Sequence, residues 1–139
     1  MRYYLDTNIL IFMLSKKNDD ISADVRHLME DYSNMFYSSS VAVNELVFLY
    51  KNKKLDFLKF KNEEEIIKYL IEKFGIEIIY FDKHHFNVYV SLQIAKDHKD
   101  MNDHAIISQA IADKMTLISS DHKFKEYINQ GLTFVFNKR

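Results

Sequence analysis

Apolar positions along this chain alternate between short β-type runs and longer stretches with helical spacing. Tyr3–Leu5, Met35–Tyr37, Ile76–Tyr80, Met115–Ile118 and Leu132–Phe136 are rich in aromatic and β-branched residues, and turn or capping residues flank them, so each predicts a strand. Between them the pattern predicts helices. The first covers Ile9–Leu14 and ends in the polar stretch Lys16–Asp20. The second runs from the capping residue Ser22 to about Tyr32, with Val25, Leu28 and Met29 on its buried face. Ser38, Ser39 and Ser40 then cap a helix carrying Val41, Glu45, Leu46, Phe48 and Leu49. Glu63–Glu65 open a helix to Phe74, because acidic side chains suit a helix start, and Gly75 closes it. A further helix is expected from Lys83 to about Asp97, with Val88, Leu92 and Ala95 inward, followed by the polar loop His98–Met101. Asn102–Lys114, with Ile106, Ile107, Ala110 and Ile111 apolar, and the short His122–Asn129, stopped by Gly131, complete the set.

The resulting order is β-α-α-β-α-α-β-α-α-β-α-β. Strands alternating with helices need crossover connections, which make a mainly parallel sheet with helices on both faces. The expected fold class is α/β, a three-layer α/β/α sandwich with four to five strands, built by residues 1–139 as one domain.

Composition narrows the chemistry. There is no Cys, so disulfides, thiolate zinc sites and Cys nucleophiles are excluded. With two glycines and no proline there is no Gly-rich phosphate loop and no dinucleotide fingerprint. A formal net charge of −1 provides no global attraction to nucleic acid, so such binding has to rest on local patches. The first residues form a strand rather than a secretory signal, and no apolar run reaches the roughly 18–20 residues that span a bilayer. A cytoplasmic protein with no membrane association is expected.

Four carboxylates stand where predicted strands end or helices begin: Asp6, Glu45, Asp103 and Asp121. In a parallel sheet the strand ends open on one rim, where residues distant in sequence converge. Carboxylates crowded there repel one another unless protons or a cation compensate them. A hard divalent ion, Mg²⁺ or Mn²⁺, takes oxygen ligands and keeps water positions open. Each acid also has a plain structural reading: Asp6, Asp103 and Asp121 suit helix starts, where losing a cap costs about 1 kcal/mol. Glu45, beside Leu46 on an apolar helix, is harder to explain that way. The four together point to a metal-dependent phosphoryl-transfer site.

The segments Leu5-Asp6-Thr7-Asn8, Asn44-Glu45-Leu46, His98-Lys99-Asp100-Met101-Asn102-Asp103-His104-Ala105-Ile106-Ile107-Ser108-Gln109-Ala110 and Leu117-Ile118-Ser119-Ser120-Asp121 resemble, in order and spacing, the motifs of PIN-domain ribonucleases. The likeness is specifically to VapC-type toxins of bacterial toxin–antitoxin pairs, and it covers essentially the whole chain. It implies a PIN-like fold and an Mg²⁺- or Mn²⁺-dependent endoribonuclease leaving 5′-phosphate and 3′-hydroxyl ends. It further implies a cognate antitoxin partner and a homodimer. Asp6, Glu45, Asp103 and Asp121 correspond to the catalytic, metal-binding quartet. Asp100 matches the first acid of the family's D-x-x-D, Ser119 its small hydroxyl residue, and Thr7 and Asn8 are placed to orient Asp6. The chain departs from the family at Met101, Asn102 and His104, where Pro, an aromatic and Arg are frequent, and at Lys123, where an acid is frequent.

Other readings compete with this one. A PIN-like module that holds RNA or a protein without cutting is the main alternative, and it has no need of a charge-repulsive cluster. A phosphatase of the D-x-D-x-T type needs an acid where Asn8 stands. His84, His85 and His98 lack zinc-site spacing, and His104, taken as a helix-surface residue, is expected to be neither base nor ligand. Lysines 51, 53, 54, 59 and 61 read as a solvated face, with an RNA-backbone contact as the alternative. The Lys51–Lys61 piece is interleaved with Leu55, Phe57, Leu58 and Phe60, and the aromatic-rich segment of Phe48, Leu49, Tyr50, Leu55, Phe57 and Phe60 is core if buried and a groove for an antitoxin helix if exposed.

Overall fold

The computed structural model describes residues 1–15, 18–57 and 59–139. The expectations resting on Lys16, Lys17 and Leu58 lie outside the described residues. Five strands form one sheet: β1 (Arg2–Leu5), β2 (Met35–Ser39), β3 (Glu77–Ile79), β4 (Thr116–Ser119) and β5 (Thr133–Phe136). Every pairing is parallel and the order is β3-β2-β1-β4-β5. The chain therefore builds outward from β1 on one side, then crosses back to lay β4 on β1's other edge, with Leu5 opposite Ile118. The carboxyl ends of β1 and β4 are the topological switch point of this sheet, the place where open parallel sheets bind their ligands.

The helices flanking the sheet are α1 (Thr7–Leu14), α2 (Ala23–Glu30), α3 (Ser40–Lys51), α4 (Glu63–Glu72), α5 (Lys83–Ser91) and α6 (Met101–Asp113). Two 3₁₀ segments, Asn18–Asp20 and His122–Gln130, complete the described elements. Leu5, Leu117 and Ile118 of the central strands are buried against Ile9 and Leu10 of α1, Leu46 of α3, and Ile106 and Ile107 of α6, all in one core cluster. Central parallel strands covered on both faces read as continuous apolar runs, and Tyr3–Leu5 and Thr116–Ser119 are buried at every position.

The structure differs from the sequence pattern in three places. The helix expected to reach Asp97 ends at Ser91, and Leu92 turns to an extended backbone. Contacts from a distant segment replace the helical hydrogen bonds: Gln93 N–H donates to Gln130 Oε1 at 2.9 Å, and Ala95 N–H to the Tyr127 hydroxyl at 3.0 Å. The buried member of α5 is His85, while Val88, Leu92 and Ala95 are only partly covered or lie beyond the helix. His85 is held in a buried polar network, with Nε2 2.8 Å from Asp113 Oδ2 and Nδ1 accepting from Asp82 N–H. The short helix before Gly131 is 3₁₀ rather than α.

The aromatic-rich stretch is mostly core. Phe57 and Phe60 are buried, and the rings of Tyr50, Phe57, Phe60, Tyr69 and Phe74 follow one another at 5.2–6.3 Å. Phe48 stays exposed. The five lysines are exposed, and Lys59 Nζ lies over the Phe60 and Tyr69 rings. Leu117 is fully buried on the central pair of strands, so Leu117→Ala should destabilise the fold by about 2–5 kcal/mol through lost burial and a residual cavity, measured by urea unfolding.

Candidate metal centre

Asp6 is the first residue past β1 and the N-cap of α1. Its carboxylate is buried, and both oxygens are engaged. Oδ1 accepts from Thr7 N–H at 2.8 Å, while Oδ2 accepts from the Ser119 hydroxyl at 2.6 Å and the Asn8 amide at 3.2 Å. Ser119 closes β4 and is saturated, since its Oγ also accepts from Asp121 N–H at 3.1 Å and from Asn8 Nδ2 at 3.2 Å. Asn8 Oδ1 in turn accepts from Ser120 N–H. The ends of β1 and β4 are thereby tied through three side chains, so Asp6 has one attainable orientation.

The other acids approach from separate elements. Glu45 comes from α3, half-buried, with Oε2 accepting the Thr7 hydroxyl at 3.1 Å. Asp103 sits in the first turn of α6, and Asp121 caps the 3₁₀ helix by accepting from Lys123 N–H at 2.9 Å. Asp100 is exposed and caps α6 through Asn102 N–H and Asp103 N–H. Among the described residues, Asp103 Oδ1, Asp121 Oδ2 and Glu45 Oε1 accept no hydrogen bond.

The charges feel one another. Burial pushes the Asp6 carboxyl up to about 7, and the charges of Asp103 and Glu45 add to the shift. Asp103 is also raised to about 7, first by burial and then by Asp100, Asp121 and Glu45, with Lys123 opposing. Glu45 is raised by burial, partly offset by the Thr7 hydrogen bond. A cation beside such a rim would favour its ionised form.

The closest set of metal-ligating atoms among the described residues includes a residue that the motifs did not select. One atom each of His98, Asp103 and Asp121 lie within 4.8 Å of one another. His98 is buried, and its Nε2 is 3.0 Å from Asp103 Oδ2. The pair spans a loop–helix junction at a separation of five residues, which matches no metal-site spacing, so only the fold reveals it. His104 is likewise buried rather than on the helix surface, and its Nε2 is used on the His98 carbonyl at 2.8 Å. Asp6 and Glu45 stand outside this tightest set and reach it through charge and through Thr7.

A family model of the PIN domain matches residues 3–129. The chain belongs to the PIN-domain family. Solved structures agree on the fold. VapBC2 from Rickettsia felis bound to a DNA fragment from its promoter superposes with a TM-score of 0.70 at 24% identity, covering 99% of this chain and 100% of that one. VapBC-1 from nontypeable Haemophilus influenzae gives 0.63 at 20% identity, with 98% of both chains covered. FitAcB from Neisseria gonorrhoeae gives 0.60 at 21%, covering 97% of this chain and 96% of that one. No curated protein matches the sequence. Among the described residues no helix is long and apolar enough to cross a membrane.

The raised carboxyls set a pH dependence whose sign is fixed. Between the unfolded value of 3.8 and about 7, folded PIN-domain protein retains protons on Asp6 and Asp103 that the unfolded chain has released, so their contribution is present at low pH and lost as pH rises through about 7. In EDTA, Asp6→Asn should therefore raise the thermal midpoint relative to wild type at pH 8, with the gain shrinking towards pH 4.5. Scanning fluorimetry across that range checks it; a gain that grows on acidification would contradict the assignment.

Proposed function

We propose that this PIN-domain protein is a metal-dependent endoribonuclease, the toxin of a toxin–antitoxin pair, hydrolysing RNA phosphodiester bonds at the rim between β1 and β4. The observation that carries the reading is the burial of Asp6 at the switch point, with Glu45, Asp103 and Asp121 arriving from three other elements. A module that only bound a partner would gain nothing from carboxyls held against their preferred ionisation.

The donor set fits a hard ion. Asp6, Glu45, Asp103 and Asp121 supply carboxylate oxygens, and the raised carboxyls mark where a positive charge is missing. These four are proposed to hold Mg²⁺ or Mn²⁺. When bound, such an ion polarises a phosphoryl oxygen and lowers the pKa of its water. Ser119 and Asn8 fix the Asp6 carboxylate, and Thr7 joins Asp6 to Glu45, donating its backbone N–H to one and its hydroxyl to the other. Asp100 keeps the first turn of α6, and so Asp103, in place. Lys123, whose charge already acts on Asp103, stands at the rim where a phosphodiester would lie.

A similar structure from Klebsiella pneumoniae is a toxin–antitoxin complex. This chain is proposed to pair likewise with a cognate antitoxin, to act in the cytoplasm, and to form a homodimer. Asp6→Asn and Asp103→Asn should each lower Mg²⁺- or Mn²⁺-dependent cleavage of a labelled RNA by at least about a hundredfold, the scale of losing one transition-state charge contact, and should relieve growth arrest on expression. Cleavage that is equal in wild type and variants, or indifferent to EDTA, overturns the proposal.

A further inference from the structure

His98 lies in the loop between α5 and α6, and the sequence motifs give it no role at the metal site. It is nevertheless one of the most constrained side chains in the molecule. Its ring packs edge-on against His104 at 4.8 Å and Tyr127 at 5.4 Å, and beside Phe124 at 5.9 Å. Its backbone carbonyl accepts from His104 Nε2–H at 2.8 Å, and its backbone N–H donates to Ala95 O at 3.1 Å.

The two ring nitrogens are both occupied. Nδ1 is 2.8 Å from the Tyr127 hydroxyl and Nε2 is 3.0 Å from Asp103 Oδ2. The Tyr127 oxygen already accepts from Ala95 N–H at 3.0 Å, and the His98 ring is the only acceptor its own proton can reach among the described residues. Donation from Tyr127 to Nδ1 leaves the His98 proton on Nε2, aimed at Asp103. The chain then runs in one sense: Ala95 N–H to Tyr127, Tyr127 O–H to His98 Nδ1, His98 Nε2–H to Asp103 Oδ2. Every donor and acceptor along this chain is satisfied.

We infer that Tyr127 and His98 form a positioning relay that turns the Asp103 carboxylate so that Oδ2 is held by the protein and Oδ1 is presented to the metal rim. The inference rests on the reading of Asp103 as a metal ligand. It excludes His98 itself from the ligand set, despite its closeness to Asp103 and Asp121, because a nitrogen carrying a proton has no lone pair to give. It also gives the 3₁₀ helix His122–Gln130 two duties, with Asp121 entering the site from its start and Tyr127 reaching Asp103 through His98.

Two measurements on the intact protein test this. Long-range ¹H–¹⁵N spectra in EDTA should show His98 as the Nε2–H tautomer in wild type and a mixture of tautomers in Tyr127→Phe, which keeps the ring and removes only the hydroxyl. Mn²⁺ titration followed by electron paramagnetic resonance should show affinity about tenfold or more weaker in His98→Leu, the scale of losing an outer-shell partner. His98→Gln, whose amide N–H occupies the place of Nε2–H, should stay within about threefold of wild type. An Nδ1–H tautomer in wild type, wild-type affinity in His98→Leu, or His98→Gln as weak as His98→Leu would each overturn the relay while leaving the metal site standing. Absence of Mn²⁺ binding in wild type with the Nε2–H tautomer intact would instead remove the metal assignment, and the positioning role with it. Tyr127→Phe carries the test by spectrum alone should His98→Leu fail to fold.

Discussion

A carboxylate buried without a fixed countercharge is energetically unfavourable, and the arrangement around Asp6 answers that difficulty step by step. Three hydrogen bonds from Thr7, Asn8 and Ser119 replace most of its lost hydration. Its place as the N-cap of α1 adds the positive end of a helix dipole. Asp100 and Asp121 cap α6 and the 3₁₀ helix in the same manner, so several helix starts converge near the acidic rim. These devices are insufficient, since Asp6 still holds its proton up to about 7. The remaining demand for positive charge is what links a structural feature of the sheet to a chemical one.

The demand falls at one place because of topology. In the order β3-β2-β1-β4-β5 the sheet grows from both edges of β1, and its switch point lies at the carboxyl ends of β1 and β4. Contacts from the residue after β5 brace the end of β4. Asn137, fully buried after β5, accepts from Ser22 N–H and donates to the Asp20 carbonyl and the Ser120 hydroxyl, all at 2.7 Å. Its backbone N–H continues the ladder to Ser119 O at 2.8 Å. The residue next to Ser119 is thus clamped from the side opposite Asn8, so a change in the last strand would be felt at the Asp6 carboxylate.

A second polar network lies away from the switch point. Gln109 donates to the Tyr4 hydroxyl and the Ile79 carbonyl and accepts from Ser39 Oγ, joining α6 to β1, β2 and β3. Tyr4 in turn donates to Asp113, on which His85 also closes. Among the described residues no buried side-chain nitrogen or oxygen lacks a partner. A fully satisfied network of this kind fixes the register of α6 against the sheet. Asp103, Gln109 and Asp113 share that helix, so the register that satisfies the buried amide also sets where Asp103 enters the rim.

Hydrophobic periodicity and capping residues carried the element order, the parallel sheet and the positions of Asp6, Asp103 and Asp121 at a strand end or helix start, whereas Glu45, expected at such a place, lies in the middle of α3. They could do so because burial of a parallel sheet leaves continuous apolar runs, and because N-caps accept few residue types. Their other failures were of another kind. The end of α5 at Ser91 has no glycine or proline to announce it and follows from hydrogen bonds to Gln130 and Tyr127, which lie in a segment near the chain's end. His98 read as a loop residue, His104 as a helix-surface residue and His85 only as one without zinc-site spacing, since nothing in their spacing reports the Asp113, Tyr127 or His98 groups that make their burial tolerable. The residue types and their order were thus set locally, by propensity and period. Which polar side chains are buried, and which carboxylate each one turns, was decided only when strands distant in sequence came together and removed water from between them.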